Sequence, residues 1–178
     1  MEPYLLDSCF TVYTHRMGAE AEDIVSPFEG REYACLVALG ATVPSDEARR
    51  HLARELVRTN CRYVVLLGSD YDPLLTDLLE ANRKDYRYDD PDAEIFMMHW
   101  YESSEMEEAS YALFALCSRG DSHYKESLIL FLNTDEQTTS AVMQCVPDAI
   151  KEGQFLWAVR DWLDSKRNGE GGALCLPE

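Results

Sequence analysis

The stretch RYVVLLG at residues 62–68 decides the fold of this chain of 178 residues. It is a continuous apolar run of about strand length, as expected for a strand that is buried on both faces of a parallel sheet. Asp72 and Pro73 follow it closely, and proline is well suited to the first turn of a helix. We therefore predict a buried strand that leads into a helix.

Three further apolar segments, at residues 32–39, 94–101 and 127–132, also have strand character. Each is followed by a segment with the spacing of an amphipathic helix. Four strand–helix units in succession predict a mostly parallel sheet with helices on both faces. We therefore predict a single three-layer α/β domain, Rossmann-like or flavodoxin-like, with a sheet of four or five strands.

Local signals also predict where the helices begin and end. Ser45 is a good N-cap for a helix that runs to about residue 60, and Ser104 with Glu107 fits a capping box. We expect two helices at the end of the chain, because Pro147 interrupts the first and an amphipathic pattern restarts at Phe155.

The same pattern predicts the domain organisation. The α/β domain takes up residues 31–167, and residues 1–30 form an N-terminal extension in which 5–13 can add an edge strand. The glycine-rich segment 168–178 is predicted to be a flexible tail.

The charge of the chain indicates what it binds. It has 33 acidic and 16 basic residues, for a net charge of −17, and residues 70–108 alone carry thirteen acids and three bases. Such a charge repels nucleic acids and anionic lipids and attracts basic partners. No apolar run is long enough to cross a membrane, and the N-terminus lacks the pattern of a secretory signal. We predict a cytoplasmic location and a basic protein partner, with no direct nucleic-acid or membrane binding.

Two groups of charged residues are candidates for partner binding. The first is acidic and lies in the middle of the chain: Asp85, Asp89, Asp90, Asp92, Glu105 and Glu108. The second consists of Arg50, Arg54 and Arg58, which share one face of a predicted helix. The alternative for the arginines is local pairing, Arg50 with Glu47 and Arg58 with Glu55.

The turns that follow the strands are the expected place for chemistry, because ligands of parallel sheets bind at the carboxyl ends of the strands. Asp70 and Asp72 are candidate Mg²⁺ ligands there, and the alternative is that Asp72 caps the helix while Asp70 interacts with its dipole. His99 with Glu102 is a candidate general base and its orienting carboxylate, and the alternative is a hydrogen-bonded histidine at a strand end. Neither pair forms a recognisable catalytic set, so we predict no resident cofactor and favour a protein that is not an enzyme.

The six cysteines contain no Cys-x-x-Cys pair, and most of them lie in or beside apolar stretches. We interpret them as small buried hydrophobic residues and predict no structural zinc site.

The segment EIFMMHWYESSEMEEA at residues 94–109, followed by SYALF, resembles a family of small bacterial proteins known as a domain of unknown function. The family pattern has an apolar strand that ends in a tryptophan–histidine pair, an acidic turn, and Glu-Ala before an aromatic-rich helix. Here the pair is reversed, as His99 and Trp100. The resemblance covers residues 33–135 and implies a bacterial cytosolic setting, without an activity.

The first hypothesis for function is a protein-binding module, for example an immunity or defence-associated protein that neutralises or assists a basic partner. The alternatives are a metal-dependent enzyme with its site at the strand ends and a protein whose acidic surface mimics nucleic acid.

Overall fold

The computed structural model describes residues 1–6, 10–18, 20, 23–42, 44–85, 97–119 and 122–167. In chain order, the strands are β1 (Glu2–Leu6), β2 (Thr11–Met17), β3 (Tyr33–Leu39), β4 (Cys61–Leu67), β5 (Met97–Tyr101), β6 (Ser118–Arg119), β7 (Ser122–His123) and β8 (Glu126–Leu132). The helices are α1 (Asp46–Arg58), α2 (Asp72–Asp85), α3 (Met106–Tyr111), which continues as a π-helical turn (Ala112–Leu116), and α4 (Glu136–Arg167).

Six of the strands form one mixed sheet in the order β1-β2-β8-β3-β4-β5. The last five of these are parallel, and β1 pairs antiparallel with β2 at one edge. The short strands β6 and β7 form a separate antiparallel pair. The predicted α/β class with a mostly parallel sheet is confirmed, but the sheet has six strands because the segment before residue 31 supplies two of them, β1 and β2, and β2 lies inside the sheet.

Strand β8 lies between β2 and β3, so the order of the strands reverses direction at this position. Numbered along the chain, the parallel strands follow the order 1-5-2-3-4 across the sheet. This order differs from the 2-1-3-4-5 order of flavodoxin-like domains. Ligand crevices in open α/β sheets form where the order reverses, which here is between the carboxyl ends of β3 and β8.

Helices cover both faces of the sheet. On one face, Leu52 and Leu56 of α1 and Leu74 and Leu78 of α2 are buried against the sheet. On the other face, α3, the π-helical turn and α4 bury a second set of apolar side chains against the alternate residues of the strands: Ala109, Leu113, Phe114, Val142, Val146 and Trp157. The apolar faces read from the sequence therefore form the two layers of the core.

Of the two helix starts predicted from capping residues, at Ser45 and Ser104, one is confirmed. Ser45 is the N-cap of α1, and its hydroxyl accepts a hydrogen bond from the backbone N–H of Ala48 at 3.2 Å. The predicted start of α3 at Ser104 is wrong, since α3 begins at Met106 after Glu105. The carboxylate of Glu105 instead accepts a hydrogen bond from the backbone N–H of Glu102 at 2.7 Å.

The prediction of two helices at the end of the chain is also wrong. α4 is a single helix of 32 residues with Pro147 inside it. Asp135 caps it by accepting a hydrogen bond from the backbone N–H of Thr138 at 2.6 Å. Pro147 is exposed, whereas its neighbours Val146 and Ala149 are buried on the core face, so packing holds both sides of the proline in one helix.

Among the described helices, none has the length and apolar character needed to cross a membrane. The described cysteines, Cys35, Cys61, Cys117 and Cys145, are free thiols, and the first three of them are buried as predicted.

Candidate partner-binding groove

An open groove of about 1070 Å³ lies between α3 and α4, beside the carboxyl end of β5. Tyr101, the last residue of β5, and Ser103 and Ser104 of the following turn close one end. We call this surface the α3–α4 groove. Its helical walls consist of Met106, Glu107, Glu108 and Tyr111 on one side and Ala141, Gln144, Cys145, Asp148, Ala149 and Glu152 on the other.

The walls of the α3–α4 groove are acidic. Glu107 and Glu108 of α3 face Asp148 and Glu152 of α4, and all four side chains are exposed. No lysine or arginine is among the described residues that line the groove. Lys151 lies at its rim, where its ammonium group is 3.4 Å from a carboxylate oxygen of Asp148. The groove is therefore a surface that attracts cations.

Two ionisable groups in the groove respond to these carboxylates. Burial and the charges of Glu105 and Glu108 raise the pKa of Tyr101. Burial, together with the charges of Glu107, Glu108 and Asp148, raises the pKa of the Cys145 thiol. In both cases a neighbouring negative charge disfavours the anionic form. The same field favours a bound cation.

Close packing at one end fixes the position of the two helices. Gly153 of α4 lies against the π-helical turn, and a Cβ atom at that position would be 2.4 Å from the carbonyl oxygen of Phe114. Only glycine permits so close an approach of two backbones. Gly153 directly follows Glu152, the last residue of α4 that lines the α3–α4 groove.

The acidic residues predicted from the sequence are only partly described. Glu108 lines the α3–α4 groove, and Glu105 lies near enough to Tyr101 to raise its pKa. Asp89, Asp90 and Asp92 lie outside the described residues. Asp85 is the last residue of α2, and only its backbone is described.

Asp148 and Glu152, the carboxylates that α4 contributes to the groove, were not predicted as site residues from the sequence. Their i, i+4 spacing puts them on one face of a helix. This spacing was not recognised because the helix was expected to end at Pro147, one residue before Asp148.

The arginines at 50, 54 and 58 lie on α1, away from the groove. Arg58 pairs with Glu55 at 2.6 Å, as the local alternative proposed. Arg50 lies 3.6 Å from Asp46 and 3.7 Å from the buried Asp77, instead of pairing with Glu47. Arg54 is exposed, and no ion pair is formed by it within the described part of the chain. Two of the three arginines, Arg50 and Arg58, thus form ion pairs with carboxylates of the same chain.

The crevice expected between β3 and β8 is filled. A Cβ atom on Gly40, which follows β3, would lie 1.8 Å from the carbonyl oxygen of Asn133, which follows β8. The Asn133 amide also donates a hydrogen bond to the carbonyl of Thr42 at 3.2 Å. The cavity that remains beside them is about 10 Å³, which is no more than the volume needed for one water molecule.

Asp70 borders that small cavity, and both Asp70 and Asp72 are exposed. Asp72 is the first residue of α2, where a carboxylate interacts favourably with the helix dipole. Among the described residues, no third acidic, histidine or cysteine side chain joins these two aspartates in a cluster that could hold a metal ion.

His99 of β5 packs against a core tyrosine. Its ring stacks on Tyr63, with 5.4 Å between the centroids and 20° between the planes. His99 and Tyr101 share the face of the sheet that α3 and α4 cover, whereas Trp100 lies beside Tyr71 on the other face, as the alternation of a strand predicts. Glu102 is exposed, and no hydrogen bond joins it to His99 among the contacts described for the chain.

One cluster of possible metal ligands, Asp23, His51 and Glu55, lies on the opposite helical layer. Its donor atoms are within 4.8 Å of one another. Arg58 already donates hydrogen bonds to both oxygens of Glu55, at 2.8 and 2.6 Å, and the backbone N–H of Ile24 donates a third at 3.3 Å. His51 is 2.9 Å from Asp23. These contacts give the cluster a structural role, because they hold α1 against the segment before β3.

The sequence pattern of a domain of unknown function, DUF7684, matches residues 13–149 of the chain. The chain belongs to this family. The match begins in β2 and ends in α4, so it takes in nearly all of the parallel sheet and extends further in both directions than the resemblance read from the sequence. Neither a curated protein nor a solved structure matches the chain.

Proposed function

We propose that this member of the DUF7684 family is a binding module that holds a basic protein partner in the α3–α4 groove. The observation that carries this proposal is the facing pair of acidic walls. Glu107 and Glu108 on one side and Asp148 and Glu152 on the other line an open groove whose described lining includes no basic side chain.

The charge of the whole chain supports the same proposal. At −17, the protein attracts a basic partner over a distance of about one Debye length and accelerates its association, an effect that weakens as salt is added. Within this class, we propose an immunity or defence-associated role, in which the protein neutralises or assists a basic partner in the bacterial cytoplasm. We further propose that the three-layer architecture reflects a distant relationship of this chain to Rossmann-like domains. An experimental structure, compared with such domains, would test this relationship.

The two alternative functions have less support. A metal-dependent enzyme at the strand ends would need a crevice near Asp70, where Gly40 and Asn133 are in backbone contact. Mimicry of nucleic acid would need carboxylates in rows at the spacing of phosphate groups. This alternative stays a prediction.

The test is affinity capture with matched variants. The groove variant Glu107→Gln/Glu108→Gln/Asp148→Asn and the control variant Glu2→Gln/Glu20→Gln/Glu47→Gln remove three exposed carboxylates each, so they have the same net charge. Each protein is immobilised and exposed to a lysate of the native host at low and at high salt. We expect the wild type and the control to retain the same basic protein at low salt, and the groove variant to lose it.

Titration of the purified partner then gives the affinity. We expect the groove variant to bind about tenfold more weakly than the control, since three charge contacts of a few tenths to one kcal/mol each sum to roughly 1.4 kcal/mol. Equal affinity of the two variants, or an acidic retained protein, would contradict the proposal.

A further inference from the structure

The wall that α4 contributes to the α3–α4 groove is one continuous helical face. Its groove residues recur at intervals of three or four positions from Ala141 through Cys145, Asp148 and Glu152. Phe155 and Leu156 continue the same face and, together with Tyr111, Lys151 and Glu152, line an adjoining open cavity of about 450 Å³. Fifteen residues separate the two ends of this face, which corresponds to about 22 Å along the helix axis.

The chemistry of this face changes along its length. Around Asp148 and Glu152 it is acidic, and α3 adds Glu107 and Glu108 there. Beyond Glu152 the face is apolar. Phe155 is 48% exposed and Leu156 is 36% exposed, and the two side chains are adjacent on the same turn.

The acidic and apolar parts form one surface. Tyr111 and Glu152 line both the α3–α4 groove and the adjoining cavity, so the two cavities are direct neighbours. A ligand of sufficient length can therefore contact the carboxylates and the apolar pair at the same time.

We propose that this surface receives a basic amphipathic helix of the partner protein, with basic side chains on the four carboxylates and apolar side chains on Phe155 and Leu156. The inference rests on the proposed function and specifies that the part of the partner that binds here is a helix. A helix of about 15 residues has the length of the surface, and a helical face with basic residues along most of its length and apolar residues at one end complements its two parts.

Charge disfavours the other occupants that the chain itself offers. A second copy would place Glu107, Glu108, Asp148 and Glu152 opposite an equally acidic surface. The segments 86–96 and 168–178 of the same chain are acidic as well: the first has four acids and one base, and the second has two acids and no base. A basic helix is the occupant that satisfies both parts of the surface.

The test uses two synthetic peptides of about 15 residues with identical composition. The patterned peptide places its lysines and arginines on one helical face and its leucines at one end, and the scrambled peptide distributes them without a pattern. Binding is measured by fluorescence anisotropy, and circular dichroism of the mixture reports whether the peptide becomes helical.

Three variants locate the binding surface. Phe155→Ser/Leu156→Ser removes the apolar part, Leu163→Ser removes a 54% exposed leucine of α4 that lines neither cavity, and Glu107→Gln/Glu108→Gln reduces the acidic part. All five side chains are exposed or at the surface, and thermal unfolding verifies that each variant is folded.

We expect the patterned peptide to bind the wild type about tenfold more tightly than the scrambled one and to become helical on binding. Phe155→Ser/Leu156→Ser should abolish this preference, and Leu163→Ser should retain it. Glu107→Gln/Glu108→Gln should weaken both peptides alike.

The outcomes separate this inference from the proposed function. If both peptides bind the wild type equally and Phe155→Ser/Leu156→Ser changes nothing, the helix inference is wrong while the acidic binding module stands. If neither peptide binds, the helix inference is wrong, and the affinity capture with the groove variant decides the proposed function separately.

Discussion

Gly153 of α4 and Phe114 of the π-helical turn are in backbone contact, so that a Cβ atom at position 153 would lie 2.4 Å from the Phe114 carbonyl oxygen. This contact sets the spacing of the two helices that form the α3–α4 groove. It also explains how a glycine is tolerated inside a helix, since the approach that it permits compensates for its low helix propensity.

The Gly153→Ala substitution should therefore destabilise the protein although alanine favours helix. Overpacking in a well-packed region costs about 1–3 kcal/mol, and the gain in helix propensity returns at most about 1 kcal/mol. We expect a net decrease of about 1–2 kcal/mol in the free energy of unfolding, measured by urea denaturation. Gln154→Ala, at the next position, is the control and should stay within about 0.5 kcal/mol of the wild type. A Gly153→Ala variant as stable as the wild type would show that the two backbones are further apart.

The ion pair of Glu55 with Arg58 should make the stability of the protein depend on pH. Hydrogen bonds from Arg58, the attraction of its charge and a hydrogen bond from Ile24 hold the pKa of Glu55 below its usual value of 4.5, although burial opposes them. A carboxyl whose pKa is lower in the folded state stabilises the fold above its unfolded pKa, and this contribution is lost as the pH falls through the folded pKa.

We expect Glu55→Gln to lower the free energy of unfolding by about 1 kcal/mol at pH 7, because it removes an acceptor of several hydrogen bonds next to a partly exposed arginine. The difference from the wild type should shrink below about pH 4.5. Glu47→Gln, an exposed position on the same helix, serves as the control and should show a smaller difference. A Glu55→Gln difference that stays constant from pH 7 to the acid limit would contradict the role of the ion pair.

The reactivity of the Cys145 thiol should depend on the negative charges of the α3–α4 groove. Burial, Glu107, Glu108 and Asp148 raise the pKa of its thiol, so less thiolate is present at a given pH and alkylation should be slow. In a Cys9→Ser/Cys175→Ser background, we expect Glu107→Gln/Glu108→Gln to lower this pKa and to speed up the reaction with iodoacetamide at pH 8. The pH dependence of the rate at low salt gives the pKa directly.

The other described cysteines, Cys35, Cys61 and Cys117, are buried and should not compete in this reaction. Glu2→Gln/Glu20→Gln is the control for net charge. If the control lowers the pKa of Cys145 as much as the groove variant does, the groove carboxylates have no special influence on it.

The sequence predicts the elements whose signals are local. Strand β4 was identified from one apolar run, and the start of α1 from Ser45 and its neighbours. β2 was missed as a full strand because TVYTHRM mixes polar and apolar residues, and its place in the sheet depends on pairing with β8, more than a hundred residues away.

The α3–α4 groove could not be predicted for the same reason. Glu107 and Asp148 belong to separate helices that only the crossover to β8 brings together. The partner of Arg50 was likewise misjudged, because Asp77 comes from α2 and only the packing of α1 against α2 places it there. Sequence periodicity identifies a face of a helix, whereas the topology decides what that face meets.

The uninterrupted course of α4 through Pro147 gives the last prediction. A proline inside a helix lacks the N–H that would bond to the carbonyl four residues earlier, here that of Met143, and its ring crowds that turn. Pro147→Ala should restore this hydrogen bond and increase the free energy of unfolding by about 1–3 kcal/mol in urea denaturation. Ser140→Ala, an exposed position on the same helix, is the control and should gain less than about 0.5 kcal/mol.

If the helix were broken before Pro147, the proline would lie in the first turn of a new helix, where it is favourable, and its replacement would lower the stability. The sign of the change therefore distinguishes one continuous helix, with Asp148 and Glu152 fixed opposite Glu107, from two helices that could move independently.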